Sequence, residues 1–259
     1  MKKVLLVIMG VCAMVTCHAQ TTKVYIVGTA HEERKYINPD TLENLLSKLQ
    51  PDVFLSELDS TFFTKEFNYD LKKYPDLLST NENISSYRYK QQHPEMALRP
   101  FDISGRNEFY RQNDYFAKES GLFKDLLAMK ENREFSQASG QLFDLAWSII
   151  QFFGDAKIET MEDVNSDVRE KFAELKYTTY DVFLQICKDE PKLNKWIDFA
   201  QLQRDFWIKR NLTMVNNISI LAQEFQGKTL VVFVGSEHKF FLVRELKKNK
   251  DIELISNVY

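Results

Sequence analysis

The chain has 259 residues, with 34 lysines and arginines against 37 aspartates and glutamates, for a net charge of −3. A mildly acidic chain without clustered positive charge lacks the electrostatic footprint of a nucleic-acid binder. Three cysteines make no disulfide framework, so a chain of this length must rest on an ordinary apolar core.

Residues 1–19 place Lys2 and Lys3 before an apolar run too short to span a bilayer comfortably, and they close on Cys17-His18-Ala19. That is the layout of a secretory leader cut before Gln20, and it predicts an exported protein, periplasmic or secreted. Lipid anchoring through Cys17 fits less well, because Met14 and Thr16 stand where a lipobox places Leu and a small residue. Cys12 and Cys17 leave with the leader, so Cys187 is alone in the mature chain. Three N-x-[ST] sequons, at Asn83, Asn211 and Asn217, follow a leader of bacterial type and are read as chance matches.

"KVYIVG", residues 23–28, reads as a buried strand. Pro39 and Asp40 open a helix whose Leu42, Leu45, Leu46 and Leu49 fall at helical spacing. "VFLSEL" after Pro51 is a second strand, and "MALRPFDI" a third, made bent or peripheral by Pro100. Residues 105–226 are helical in pattern almost throughout. Their most apolar run, Leu142 to Phe153, is too short to cross a membrane and predicts a buried helix, with a partner or lipid surface as the alternative. A long helix then runs to Gly227, followed by the strand "TLVVFV", a helix and the strand "IELIS". Strand-helix-strand at both ends predicts an α/β fold: a mainly parallel sheet fed from both termini, with a large all-helical insertion over 105–226, in one domain spanning 20–259.

Two of the strands end alike, in V-G-T-A-H and V-G-S-E-H, in a chain of only four histidines. Gly28 and Gly235 would let the chain turn sharply. His31 and His238 would then point into the crevice beyond the strands' carboxyl ends, where open α/β sheets bind ligands. Glu57, in "VFLSELD", leaves the second strand in the same way, and that strand is expected beside the first, bringing Glu57 near His31. A His-Glu-His cluster can hold a divalent metal ion that activates water, or can act on water directly as a base. With no HExxH and no cysteine pair, the metal reading rests on convergence across the fold. Arg210, on the long helix, could steady an oxyanion or lie on a solvated face. Asp102 and Arg106 could line the same rim or form a cap or ion pair.

In order, V-G-T-A-H, P-D-V-F-L-S-E-L, an R-N-x-x-M helix and V-G-S-E-H resemble the TraB/GumN superfamily. That group includes the Tiki proteases and is similar in core to the erythromycin esterases and ChaN-type haem-binding lipoproteins. The resemblance implies catalytic or metal roles for His31, Glu57 and His238, support from Arg210, and hydrolysis of an ester or amide in a small molecule or peptide. Glu32 and Glu33 after the first motif and "KFFL" after the second depart from the family's habit, so substrate does not transfer with it. The rival reading is a non-catalytic binder of haem, metal or a small ligand, walled by the aromatic residues between 109 and 207. A third is an interaction module built on residues 142–153. Protein recovered from the native host is expected to begin at Gln20; mass spectrometry finding Met1 intact, or acyl chains on Cys17, would overturn the leader reading.

Overall fold

The computed structural model describes residues 21–155 and 158–259; the leader read at residues 1–19 lies outside the described residues. Five strands, β1 (Thr22–Thr29), β2 (Val53–Ser56), β3 (Ala97–Pro100), β4 (Thr229–Gly235) and β5 (Ile252–Ile255), form one parallel sheet in the order β3-β2-β4-β1-β5. The helices are α1 (Pro39–Leu49), α2 (Asn81–Gln92), α3 (Arg106–Gln112), α4 (Tyr115–Glu131), α5 (Gln137–Asp155), α6 (Met161–Asn165), α7 (Asp167–Asp189), α8 (Ile197–Glu224) and α9 (Ser236–Leu246). The expected α/β fold with its helical insertion, α3 to α8, is present.

A parallel sheet is buried on both faces, and successive side chains alternate between them. Val27, Phe54, Leu98, Val231 and Phe233 face α1 and α2. Val24, Ile26, Val53, Leu55, Val232 and Val234 face α8 and α9. The insertion has its own core, in which Leu122, Leu126, Phe143, Phe183 and Phe199 join α4, α5, α7 and α8. At 28 residues, α8 is about 42 Å long. Phe199 and Ala200 serve the insertion's core, and Met214, Ile218 and Leu221 serve the sheet's.

Three expectations are corrected. β2 pairs with β4, not β1, because β4 returns from the far end of the chain and takes the slot between them. β1 then leads to α1 on one face while its neighbour β4 leads to α9 on the other. Adjacent strands diverging to opposite faces open a crevice at their carboxyl ends. Second, the glycines of the repeated motif do not relieve the backbone: Gly235 sits at φ −50°, and the positive-φ glycines among the described residues are Gly105 and Gly227. What Gly28 provides is space, since a Cβ there would meet Lys239 Cδ at 3.2 Å and Asn165 Oδ1 at 3.3 Å. Third, α5 is buried on one side only. Phe143, Ala146 and Phe153 face inward, whereas Leu145 and Phe152 are 60% and 50% exposed. No helix among the described residues is long and apolar enough to cross a membrane. Pro100 behaves as expected, closing the edge strand β3.

Asn165 has a particular task. β5 pairs with β1 only as far as Tyr25, and farther along Gly28 donates its N–H to Asn165 Oδ1 at 2.7 Å and accepts from Asn165 Nδ2 at 3.0 Å. One side chain thus replaces a missing strand. Asn165→Ala is expected to cost about 2 kcal/mol in denaturant unfolding, because it orphans a buried backbone N–H and C=O; an unchanged midpoint would refute this role.

Candidate functional site

Two carboxylates, an arginine and a histidine meet beyond the carboxyl ends of β3, β2 and β4. Asp102 follows β3, Glu57 follows β2, His238 lies in the first turn of α9, and Arg210 reaches them from the middle of α8. Arg210 donates through Nε to Asp102 Oδ1 at 2.8 Å and through an Nη to Asp102 Oδ2 at 2.9 Å. That same Nη reaches Glu57 Oε1 at 2.5 Å, and the other donates to His238 Nε2 at 2.9 Å. Glu57 Oε2 accepts the Gly235 N–H at 2.6 Å. Asp102 also receives Arg106 at 2.7 Å and the N–H of Ile103 at 2.8 Å, so Asp102 and Arg106 form the expected ion pair and also border the site.

The hydrogen bonds fix the His238 tautomer. Arg210 can only donate, so Nε2 accepts and the proton sits on Nδ1, which faces Asn211 Oδ1 at 2.8 Å. Asn211 is held in that orientation because its Nδ2 donates to the Trp207 carbonyl at 2.8 Å. The Trp207 ring stacks beside the imidazole, 5.4 Å between centroids and 19° from parallel. Burial, reinforced by the Arg210 charge, lowers His238 to about 4, so the ring is neutral at pH 7. Burial by itself would raise the Glu57 carboxyl, but Arg210 foremost, with the two histidines and the Gly235 N–H, brings it down to about 2.

His31 stands on different ground. The loop after β1 is irregular, and α2 pins it: Asn81 Nδ2 donates to the carbonyls of Ala30 and Glu32, both at 2.9 Å, while its N–H meets the His31 carbonyl at 3.3 Å. Glu82, one residue on, takes His31 Nδ1 at 3.1 Å. That bond raises His31 to about 9 against the opposing effect of burial, with the charges of Glu82 and Glu57 adding to it. The ring is 57% exposed at its side chain, unlike the buried His238.

Gly235 shows how closely the groups converge. A Cβ on it would lie 3.6 Å from Glu57 Oε2, 3.7 Å from His31 Nε2 and 3.8 Å from His238 Cδ2. The three are therefore closer to one another than twice that distance, and a methyl at this glycine would fill the space between them. All four expected residues, His31, Glu57, Arg210 and His238, come together.

The chain matches no family model, and no curated protein or solved structure matches it.

The arrangement does not fit a divalent ion held by His31, Glu57 and His238. Neither His238 nitrogen is free, and the Arg210 guanidinium already supplies positive charge against Glu57. Among the described residues no group of three or more His, Cys, Asp or Glu side chains is placed to hold a metal ion. Glu82 was not a sequence-level candidate. The buried face of α2 consists of Asn81, Glu82, Asn83, Ser85, Ser86 and Tyr89, and so polar a stretch carries no apolar period. The available signal was Thr80 ahead of Asn81-Glu82, an N-cap before an acidic first turn, and Thr80 does cap the helix.

His238 makes stability pH-dependent in a defined direction. A base whose folded-state pKa lies below its ordinary value binds its proton more readily unfolded, so stability is lost as pH falls from 6.5 through about 4. Glu57, with its folded pKa depressed, adds a loss that begins at the ordinary carboxylate value and continues toward 2. Unfolding free energy is expected to decline between pH 6.5 and 4 in the wild type and to be flatter in His238→Gln. Parallel curves for the two proteins would contradict this.

Proposed function

We propose that the protein is an exported hydrolase of an ester or amide bond, acting in the crevice between Glu57 and His31. The observation that carries the reading is the convergence of Glu57, His31 and His238 around Gly235 beyond the strand ends, with the Glu57 carboxyl held down and the His31 imidazole held up in proton affinity. Such pairs divide naturally into base and acid at neutral pH. The order of motifs that resembles the TraB/GumN superfamily supports the same four residues.

Glu57 spends one acceptor site on Arg210 and one on Gly235; a carboxylate has about four, so it can still accept from water. In the proposed reaction that water gives its proton to Glu57 as its oxygen bonds to the substrate carbonyl carbon, whose π electrons move onto oxygen. In this reading Arg106, paired with Asp102, and the His31 N–H steady the oxyanion, a form of stabilisation often worth about 3 kcal/mol per donor. Collapse breaks the bond to the leaving oxygen or nitrogen, which takes the His31 proton. Glu57 then returns its proton through solvent, and His31 is recharged. A carboxylate with so low a pKa is a weak base, which favours activated esters over amides.

One observation favours the rival reading, a binder of haem or a small ligand: His31 offers an exposed imidazole at the mouth of the crevice. Protein from haem-supplied cells would then carry a Soret band that His31→Ala removes.

The hydrolase reading is tested on phenyl acetate, whose phenolate leaving group, of pKa about 10, draws a proton from His31. His31→Ala, which leaves the buried Glu82 without its partner, is expected to stay folded with a lowered melting temperature and to lose at least about a hundredfold in kcat/KM. The wild-type rate should hold across neutral pH and fall above about 9, as His31 loses its proton. Glu82→Gln should move that alkaline limb down toward the ordinary histidine value. Full activity in His31→Ala, or an alkaline limb unmoved by Glu82→Gln, would overturn the assignment.

A further inference from the structure

One face of α8 continues beyond the catalytic arginine. Gln203, Trp207 and Arg210 are spaced i, i+4, i+7 and share that face. Gln203 is seven residues, about 10 Å, from Arg210 along the helix. It is buried, yet it donates its amide to Glu119 Oε1 on α4 at 2.6 Å and hydrogen-bonds the Tyr115 side chain.

Between this polar pair and the catalytic centre runs a track of rings. Trp207 lies over His238, with Tyr180 at 6.3 Å from it. Tyr110 packs on Tyr115 at 4.8 Å. The electrostatic neighbours of Tyr110 are the catalytic groups Arg210, Arg106, Asp102 and Glu57. Those of Tyr180 are Tyr115, Glu237, Glu119 and Tyr110. Tyr110, Tyr180, Trp207 and Glu119 are each half-buried, neither sealed in the core nor on the open surface.

The far end of the track is short of positive charge. Burial pushes the Glu119 carboxyl up and Glu237 adds to it, while Gln203 and Lys176 act the other way. Lys176 is itself tied to Glu237 at 2.6 Å. A carboxylate without an ion-pair partner among the described residues, held by a buried amide beside aromatic rings, suits an organic ammonium, which the ring faces attract and the carboxylate neutralises.

We propose that Glu119 and Gln203, beside Tyr110, Tyr115, Tyr180 and Trp207, form a specificity subsite for a protonated amine, set about 10 Å along α8 from Arg210 of the catalytic centre. Its meaning as substrate selection rests on the hydrolase reading, but its occupancy does not. The substrates it selects are esters or amides with a terminal ammonium on a flexible chain of about seven methylene groups, long enough to cover an axial spacing of about 10 Å.

Calorimetry with 8-aminooctanamide and its N-acetylated, uncharged counterpart tests this at pH 7. The wild type is expected to bind the ammonium form at least about tenfold more tightly, and Glu119→Gln, which keeps shape and removes charge, to bind both alike. His31→Ala should retain the wild-type preference even though turnover is lost, which separates failure of the subsite from failure of the hydrolase reading. Tyr180→Leu, which leaves Glu119 in place, should weaken the ammonium probe roughly threefold and carries the test if Glu119→Gln melts below the assay temperature. Equal affinity of the wild type for the two probes, or a preference that survives Glu119→Gln, would overturn the proposal; with Tyr180→Leu as the variant, unchanged affinity would do so.

Discussion

A single guanidinium organises this protein. Arg210 neutralises two carboxylates that are almost wholly withdrawn from water, Asp102 and Glu57, and donates its remaining Nη to a neutral imidazole. Burial works against the arginine's own charge, and the two acids more than restore it. Removing one member of such a buried set leaves an uncompensated charge, which typically costs about 3–5 kcal/mol. The network therefore ties α8 to the ends of β2 and β3 and to the start of α9. It sets the floor of the crevice before any ligand arrives.

The two halves of the site differ because their burial differs. His238 is sealed, loses its proton affinity and fixes its tautomer through Asn211. His31 stands at the mouth and is kept charged by Glu82. Identical V-G-x-x-H strings thus produce opposite charge states, and the cause lies in the neighbours that other segments bring. α2 supplies a carboxylate to the first histidine, and α8 supplies an arginine to the second.

The layering of the fold was legible in the sequence because it depends on local period: alternating strands at the ends, leucines at helical spacing, and an uninterrupted helical middle. The convergence of His31, Glu57, Arg210 and His238 was legible for a related reason, since each follows or faces a strand end. Strand order was not, because β4's insertion between β1 and β2 is decided by contacts some two hundred residues apart in sequence, as in Val24 beside Leu230. The buried face of α2 was hidden by its own polarity. Asn81 and Glu82 earn burial by hydrogen-bonding the His31 loop, a reason invisible to any apolar pattern. The outer side of α5 misled in the opposite sense, since an apolar run does not say how many of its sides are covered.

Because α8 is one unbroken helix, the end that carries Gln203 and the point that carries Arg210 belong to the same stiff rod. Bending it would strip backbone hydrogen bonds from its middle, so the crevice has no hinge along that wall. On the opposite side the irregular loop bearing His31 hangs from Asn81 by three side-chain hydrogen bonds. A chain built this way keeps rigid the wall that carries Gln203 and Arg210 and confines its give to the loop on which, in the proposed reaction, the proton donor is mounted.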